Sequence, residues 1–319
     1  MSAKKQSAVN TTVSGGRAGG YKHPTLEKRR HIKDHTLMWL FVLPVLVLLI
    51  VINAFPLVWS LFLSFCDYTA KMANVWGKNP EFLGAANYHR ILHDPEMWEK
   101  FTITAKYVAM TVTAEMLLGF GIALVLQLDF KGRGVITTLL VLPMTMSPVI
   151  VGLMWRLFLS PTWGVFNFLL GLPKIDWISN PNINLYSIVM ADVWMWTPFV
   201  MLLSLAGLGS VPKYLYEAAE IDRASWWFKF TRITLPTIYP ILMIALIFRT
   251  IRAFKIFDLP MGITGRGAMA PPLLSMHLYN VSFVTWQTSY GASIGYIMLI
   301  MIIAITSIFI KYLNKAREE

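Results

Sequence analysis

Apolar residues dominate six long stretches of this chain, near 37–65, 101–128, 135–159, 184–209, 236–257 and 289–311. Each reaches the roughly 20 residues with which an α-helix crosses a hydrocarbon core of about 30 Å. The pattern predicts an all-α polytopic membrane protein with six transmembrane helices. Gly and Pro interrupt several stretches (Pro44, Pro56, Gly119, Gly121, Pro143, Pro148, Pro198). In a bilayer such breaks survive where neighbouring helices or a cavity satisfy the freed backbone groups. The spans are therefore expected to pack on one another rather than stand as lipid-facing rods. No internal repeat is visible, so the inverted-repeat plan of many secondary transporters has no support.

The polar segments set the orientation. Residues 1–36 carry Lys4, Lys5, Arg17, Lys22, Lys28, Arg29, Arg30 and Lys33 and read as a flexible basic tail. A cleaved signal peptide is not expected, because the basic region is long and the apolar run after it is a full span. The 129–134 turn, the 211–235 loop and the C-terminus (312–319) add further Lys and Arg on the same side. Lys71, Lys78, Arg90, Lys100, Lys174 and Arg266 fall on the other side. The first set is richer, which predicts both termini in the cytoplasm. The loops 66–100 and 258–288, rich in Trp, Tyr, Asn, Gly and Pro, are then exterior. They act either as connectors or as the landing place of a soluble partner.

Composition agrees. The chain is 56% hydrophobic and only 14% charged, against about 25% charge in soluble domains, with a mean hydropathy of +0.56. Its net charge of +11 reflects the cytoplasmic Lys/Arg bias, so no nucleic-acid partner is expected. Cys66 is the sole cysteine and excludes an internal disulfide or a Cys-rich metal site. His89 and His93 share a helical spacing, but the six histidines are scattered and no metal site is expected. The chain holds no G-x-x-x-x-G-K-[ST] or H-E-x-x-H sequence. It is not expected to be an enzyme, and any nucleotide chemistry belongs to a partner.

The 211–235 loop has its own helical pattern. Pro212 suits a first helical turn, Lys213–Ile221 contains no breaker, and Asp222 is placed to cap a second helix over Ala224–Ile233. Two short helices along the membrane surface result, with Trp226, Trp227 and Phe228 available to sit in headgroups. The order Glu217-Ala218-Ala219, then Asp222, then Ile233-Thr234-Leu235-Pro236 resembles the EAA loop of carbohydrate ABC importer permeases. Phe82 to Tyr88 with Asp94-Pro95 and Trp98, Leu142-Pro143 with Pro148 and Trp155, and Phe257-Asp258 with Thr264-Gly265 are similar to other parts of that family.

That resemblance implies a type I ABC importer permease architecture in a bacterial inner membrane. It also implies a second homologous permease, two ATPase subunits that bind ATP and Mg, and an extracytoplasmic solute-binding protein. Glu217, Ala218, Ala219, Asp222 and Arg223 would contact the ATPase. The family usually has Gly where this chain has Arg223, so either the bend uses ordinary φ or Arg223 is strained.

Ionisable residues inside spans are costly and mark function by default. Lys106, Glu115, Arg156, Asp192, Arg249, Arg252 and Lys255 lie in or near spans. Lys106, Arg156 and Lys255 are placed to snorkel, and Glu115 to pair with a basic neighbour. Arg249 and Arg252 either pair with Asp192 or a partner permease, or line the substrate cavity. The resemblance carries the family's sugar contacts onto Asp192, Met195, Trp196 and Phe199 in the fourth span. In the fifth span they fall on Arg249, Arg252, Ala253 and Ile256, and in the third near Met144 and Thr145. Trp196 and Phe199 suit a sugar face, while arginine suits a carboxylate, sulfate or phosphate. Family members that take neutral sugars tend toward Asn there. An anionic saccharide of uronate type, as in alginate or pectin, is the expected substrate; a sulfosugar or sugar phosphate also fits. The alternative is an ion-coupled transporter or channel with Glu115 and Asp192 as relays.

Overall fold

A computed structural model describes residues 34–69, 80–171, 175–265 and 270–318. The predicted basic tail lies outside them as far as residue 33, as do Lys71, Lys78, Lys174 and Arg266. The chain divides into two compact units, Met1–Phe55 and Pro56–Glu319. In the first, α1 (Asp34–Leu49) contains Pro44 and ends in a π-helical turn, Ile50–Ala54. Its large side chains from Trp39 to Ile52 are exposed all round, which suits a lipid environment.

The second unit follows from α2 (Phe55–Ser64). A short antiparallel pair, β1 (Cys66–Asp67) and β2 (Glu81–Phe82), sets Cys66 opposite Phe82. After α3 (Ala86–His93) comes α4 (Pro95–Leu126), which starts earlier than the predicted span at 101. The sequence Asp94-Pro95 explains the early start. The Asp94 side chain accepts the Glu96 N–H, and Pro95 fits the first turn.

The third span corrects the prediction for 135–159. It is two helices, α5 (Arg133–Thr145) and α6 (Pro148–Phe158), bent by 100°. Pro148 pushes the residue before it out of the helical region, and Met146 and Ser147 are both extended. Next come α7 (Val165–Leu169) and α8 (Asn184–Gly209). Two short helices, α9 (Lys213–Ile221) and α10 (Trp226–Lys229), lead through a π-helical turn into α11 (Leu235–Phe254). The predicted exterior loop 258–288 contains α12 (Asp258–Thr264) and α13 (Leu274–Tyr279). Finally α14 (Thr288–Glu318) continues as helix through the predicted C-terminal tail. Among the described residues five helical stretches are long and apolar enough to cross a membrane, and the bent pair makes six if it counts as one span.

Three apolar clusters run along the unit. One joins Ala123 and Leu126 of α4 to Met201 and Leu208 of α8 and Ile238 of α11. The central cluster joins Tyr107 and Val112 of α4, Val151 and Trp155 of α6, Ile188 and Met195 of α8, and Leu259 and Ile263 of α12. The third, at the far end, joins Met97 and Phe101 to Leu274, Val281 and Ile294. The helices α4, α8 and α11 thus connect the α9–α10 end to the α12–α13 end.

Close backbone approach holds the bent span in place. A Cβ on Gly152 would lie 2.6 Å from the Leu259 carbonyl oxygen, and one on Gly262 would lie 2.8 Å from that of Val149. These obstacles are backbone atoms and cannot rotate aside. Gly262→Ala is therefore expected to lower stability by about 1–3 kcal/mol, read as a fall in the thermal midpoint of detergent-purified protein. Gly121→Ala, in open space on α4, is the control and should be neutral or mildly stabilising.

Candidate functional site

A buried charged cluster joins α4, α8 and α11. Arg249 of α11 is 1% exposed, Glu115 of α4 0% and Asp192 of α8 1%. The Arg249 guanidinium donates from Nε to Glu115 Oε2 at 2.5 Å and from Nη2 to Glu115 Oε1 at 2.6 Å. Nη2 also donates to Asp192 Oδ2 at 2.9 Å, and the Tyr107 hydroxyl donates to that same oxygen at 2.7 Å. The fork geometry of arginine permits this two-pronged bond on one carboxylate with a third bond to another. Gly119, one turn from Glu115, lets α4 approach α8 closely, because a Cβ there would lie 2.7 Å from Val200 Cβ.

Trp196 of α8 covers this cluster. The guanidinium carbon of Arg249 is 5.2 Å from its ring centroid and that of Arg252 is 4.6 Å. Phe199 meets Trp196 edge to face at 6.5 Å. Arg249 spends its donors on Glu115 and Asp192, whereas Arg252 is exposed and makes no ion pair among the described residues.

At the other end, α9 presents Glu217 and Ala218 on an exposed face while Ala219 is buried. The Tyr216 hydroxyl and Thr234 Oγ1 lie 2.8 Å apart, and Lys229 donates to Glu220 at 3.0 Å, which ties α9 to α10. Asp222 ends α9, and Arg223 at φ +52° makes the bend. Arg223 is therefore in the left-handed conformation of the two expected possibilities. The predicted second helix Ala224–Ile233 with Asp222 as its cap is corrected. Ser225 caps it, accepting the Phe228 N–H, and the helical turn runs Trp226–Lys229 before the π turn. The Ser225 hydroxyl, three residues before the N–H that it caps, outcompetes the more distant carboxylate. Beside the bend lies a concavity of about 480 Å³ lined by Ala218, Ala219, Asp222, Ser225 and Phe228.

Residues 115–319 match the family described as "Binding-protein-dependent transport system inner membrane component". The chain belongs to this family of ABC importer permeases. It is 32% identical to the trehalose/maltose transport system permease protein MalF of Thermococcus litoralis, over 90% of this chain and 96% of that one. It is 30% identical to the sulfoquinovosyl glycerol transport system permease protein SmoG of Agrobacterium fabrum, over 88% and 91%. A crystal structure of a bacterial ABC transporter involved in import of the acidic polysaccharide alginate shares the fold. Its TM-score is 0.75 at 21% identity, covering 89% of this chain and 97% of that one. The permease is thus a multi-pass inner-membrane transport component and not an enzyme, of a family that works with ATPases and solute-binding proteins.

The permease fold distributes the predicted path residues unevenly. Asp192, Met195, Arg249 and Ala253 are buried within the chain. Trp196, Phe199, Arg252 and Ile256 retain accessible surface. Met144 is half-buried, and Thr145 lines a separate groove between α5 and α8 with Leu202 and Leu205. Leu202 lies six residues past Trp196, about 9 Å along the helix. Glu115 pairs with a basic residue as expected, while one member of the charged cluster and the identity of that partner escaped the sequence reading. Tyr107 was not considered, although it lies eight residues from Glu115 and so near the same face of α4. The pairing of Glu115 with Arg249 spans 134 positions, which sequence spacing does not reveal. Lys106 donates to Tyr186 at 3.3 Å. No group of three His, Cys, Asp or Glu able to hold a metal lies among the described residues.

Removing one member of a buried ion cluster strands the others. Arg249→Met should cost about 3–5 kcal/mol, seen as loss of monodisperse protein in detergent. Replacing Glu115, Asp192 and Arg249 together with Leu, Leu and Met should recover most of that loss. Separately, Arg223→Gly should raise the thermal midpoint and Arg223→Val lower it, because positive φ costs a non-glycine residue about 1–3 kcal/mol.

Proposed function

We propose that this permease forms half of the translocation path of an ATP-driven importer of anionic saccharides. The second half comes from a homologous permease, and two ATPase subunits bind the ATP and Mg. An extracytoplasmic binding protein delivers the sugar, and both termini face the cytoplasm. The observation that carries the substrate reading is the unpaired guanidinium of Arg252 held over Trp196. An indole face stacks on a sugar ring, and an adjacent planar fork suits a carboxylate or sulfonate. Arg249 supports the platform from behind, because its charge is already matched by Glu115 and Asp192. A relative named for sulfoquinovosyl glycerol favours an acidic sugar. Relatives named for trehalose and maltose favour saccharides in general, so the preference for an anion rests on Arg252.

The coupling reading rests on the α9–α10 end. Exposed Glu217 and Asp222 flank small Ala218, beside a concavity that a protruding partner surface can fill. ATP-driven closure of the ATPase pair would then move two such loops as rigid bodies and switch the path between two states.

One reconstitution tests both ends. Arg252→Ala should reduce uptake of a uronate oligosaccharide about ten- to a hundredfold, the value of one or two charge-assisted hydrogen bonds, and leave ATPase co-purification intact. Glu217→Lys should abolish co-purification. Undiminished acidic-sugar uptake by Arg252→Ala rejects the substrate reading, and a retained ATPase in Glu217→Lys rejects the coupling reading.

A further inference from the structure

A second pocket lies at the end of the molecule opposite α9–α10. It has a volume of about 460 Å³, within the range of about 300–1,000 Å³ of small-molecule sites. Its polar groups converge from separate elements. Lys100 comes from the first turns of α4, His277 and Tyr279 from α13, and Asn280 from the π turn after it. Met261 of α12 and Pro271 supply apolar wall.

Lys100 and Tyr279 are held in place by their neighbours. The Lys100 side chain is 13% exposed, and its Nζ donates to the Glu96 carbonyl at 3.3 Å and to Glu96 Oε2 at 3.1 Å. That pair is of the weak i, i+4 type, so an incoming anion can replace it at small cost. The His277 imidazole is kept neutral by burial and by the charge of Lys100, against weaker opposite pulls from Glu96 and Asp94. A neutral imidazole offers one donor and one acceptor, the pair that a sugar hydroxyl matches. Tyr279 packs on Phe257 at 4.7 Å and on Phe283 at 5.4 Å, which fixes its ring.

The wall of the pocket is tied to the end of α11, the helix that carries Arg252. Phe257, packed on Tyr279, follows Ile256, whose carbonyl accepts from Ser275 of α13. Ile256 stands four residues past Arg252 in the chain, just beyond the end of α11 at Phe254. We infer that this pocket is a waiting site for an acidic sugar residue before it reaches Trp196 and Arg252. Lys100 receives the anionic group, and His277 and Asn280 receive hydroxyls. This rests on the anionic-saccharide reading above.

The test uses the assembled importer with its binding protein in proteoliposomes. The probes are a uronate trisaccharide, sulfoquinovosyl glycerol and maltotriose, and the variants are Lys100→Gln, Lys100→Arg, His277→Gln and Arg252→Ala. Lys100→Gln should raise KM for the acidic probe about five- to tenfold with kcat retained, and Lys100→Arg should restore it. His277→Gln should raise KM by a smaller factor. If acidic uptake depends on Arg252 while Lys100→Gln and His277→Gln stay within twofold of wild type, the waiting site is overturned and the anionic reading stands. Wild-type preference for maltotriose over both acidic probes overturns the two together. Loss in Lys100→Gln of ATPase stimulation by sugar-free binding protein makes the pocket a protein contact and likewise overturns the proposal.

Discussion

The fold depends on one buried ion cluster. Glu115, Asp192 and Arg249 come from three different membrane helices, and in a bilayer no water is at hand to solvate any of them alone. Each is acceptable only while the other two stay within hydrogen-bond reach. The cluster therefore sets which faces of α4, α8 and α11 meet, and at what height. Apolar packing above and below it, around Met195 on one side and Met201 on the other, is compatible with small slips of helix past helix. A two-pronged guanidinium bond is not, since a slip of one turn, about 5.4 Å, breaks all three contacts. Ion clusters of this sort are better understood as devices of register than as sources of net stability.

The same cluster divides labour between two arginines one helical turn apart. Arg249 is neutralised inside the protein and stiffens Trp196 from behind; Arg252 keeps its charge on the accessible side. A binding surface needs this asymmetry. An aromatic platform backed by mobile side chains loses part of its binding free energy to ordering, whereas one clamped between fixed cations is preorganised. The helices that carry the clamp run on to the α9–α10 bend. In the proposed coupling, a displacement at that bend passes to the path through whole helices rather than through loops.

Much of the architecture was legible from hydropathy, because a span is a one-dimensional pattern and needs no knowledge of neighbours. The positions of α8 and α9 followed from Asn184 to Gly209 and from Lys213 to Ile221 with little correction. The bend at Ser147 was not foreseen, although Pro148 was noticed, because a proline permits either a kink or a helix start. Only packing of Gly152 on Gly262 selects the second. Likewise the exposure of Arg252 and the burial of Arg249 could not be separated by spacing alone. The two lie on one arc of α11, and Arg249 alone meets the carboxylates that α4 and α8 bring opposite it. Asp222 was chosen as a cap from its chemistry, yet the cap fell to Ser225 because the left-handed turn at Arg223 changes which N–H groups come within reach.

That left-handed turn carries a physical meaning of its own. The backbone at Arg223 adopts the conformation that glycine takes without cost, and the chain tolerates the strain there. Three contacts compensate it: the Ala224 N–H reaches the Ala219 carbonyl, Lys229 reaches Glu220, and Tyr216 reaches Thr234. The bend is thus over-determined from both sides, which is the condition for a strained residue to persist. A glycine would relax the bend and also loosen it, since glycine widens the range of conformations open to the chain. With arginine, α9 and α10 are held as one body. In the coupling role proposed for it, such a loop gains more from rigidity than it loses to local strain.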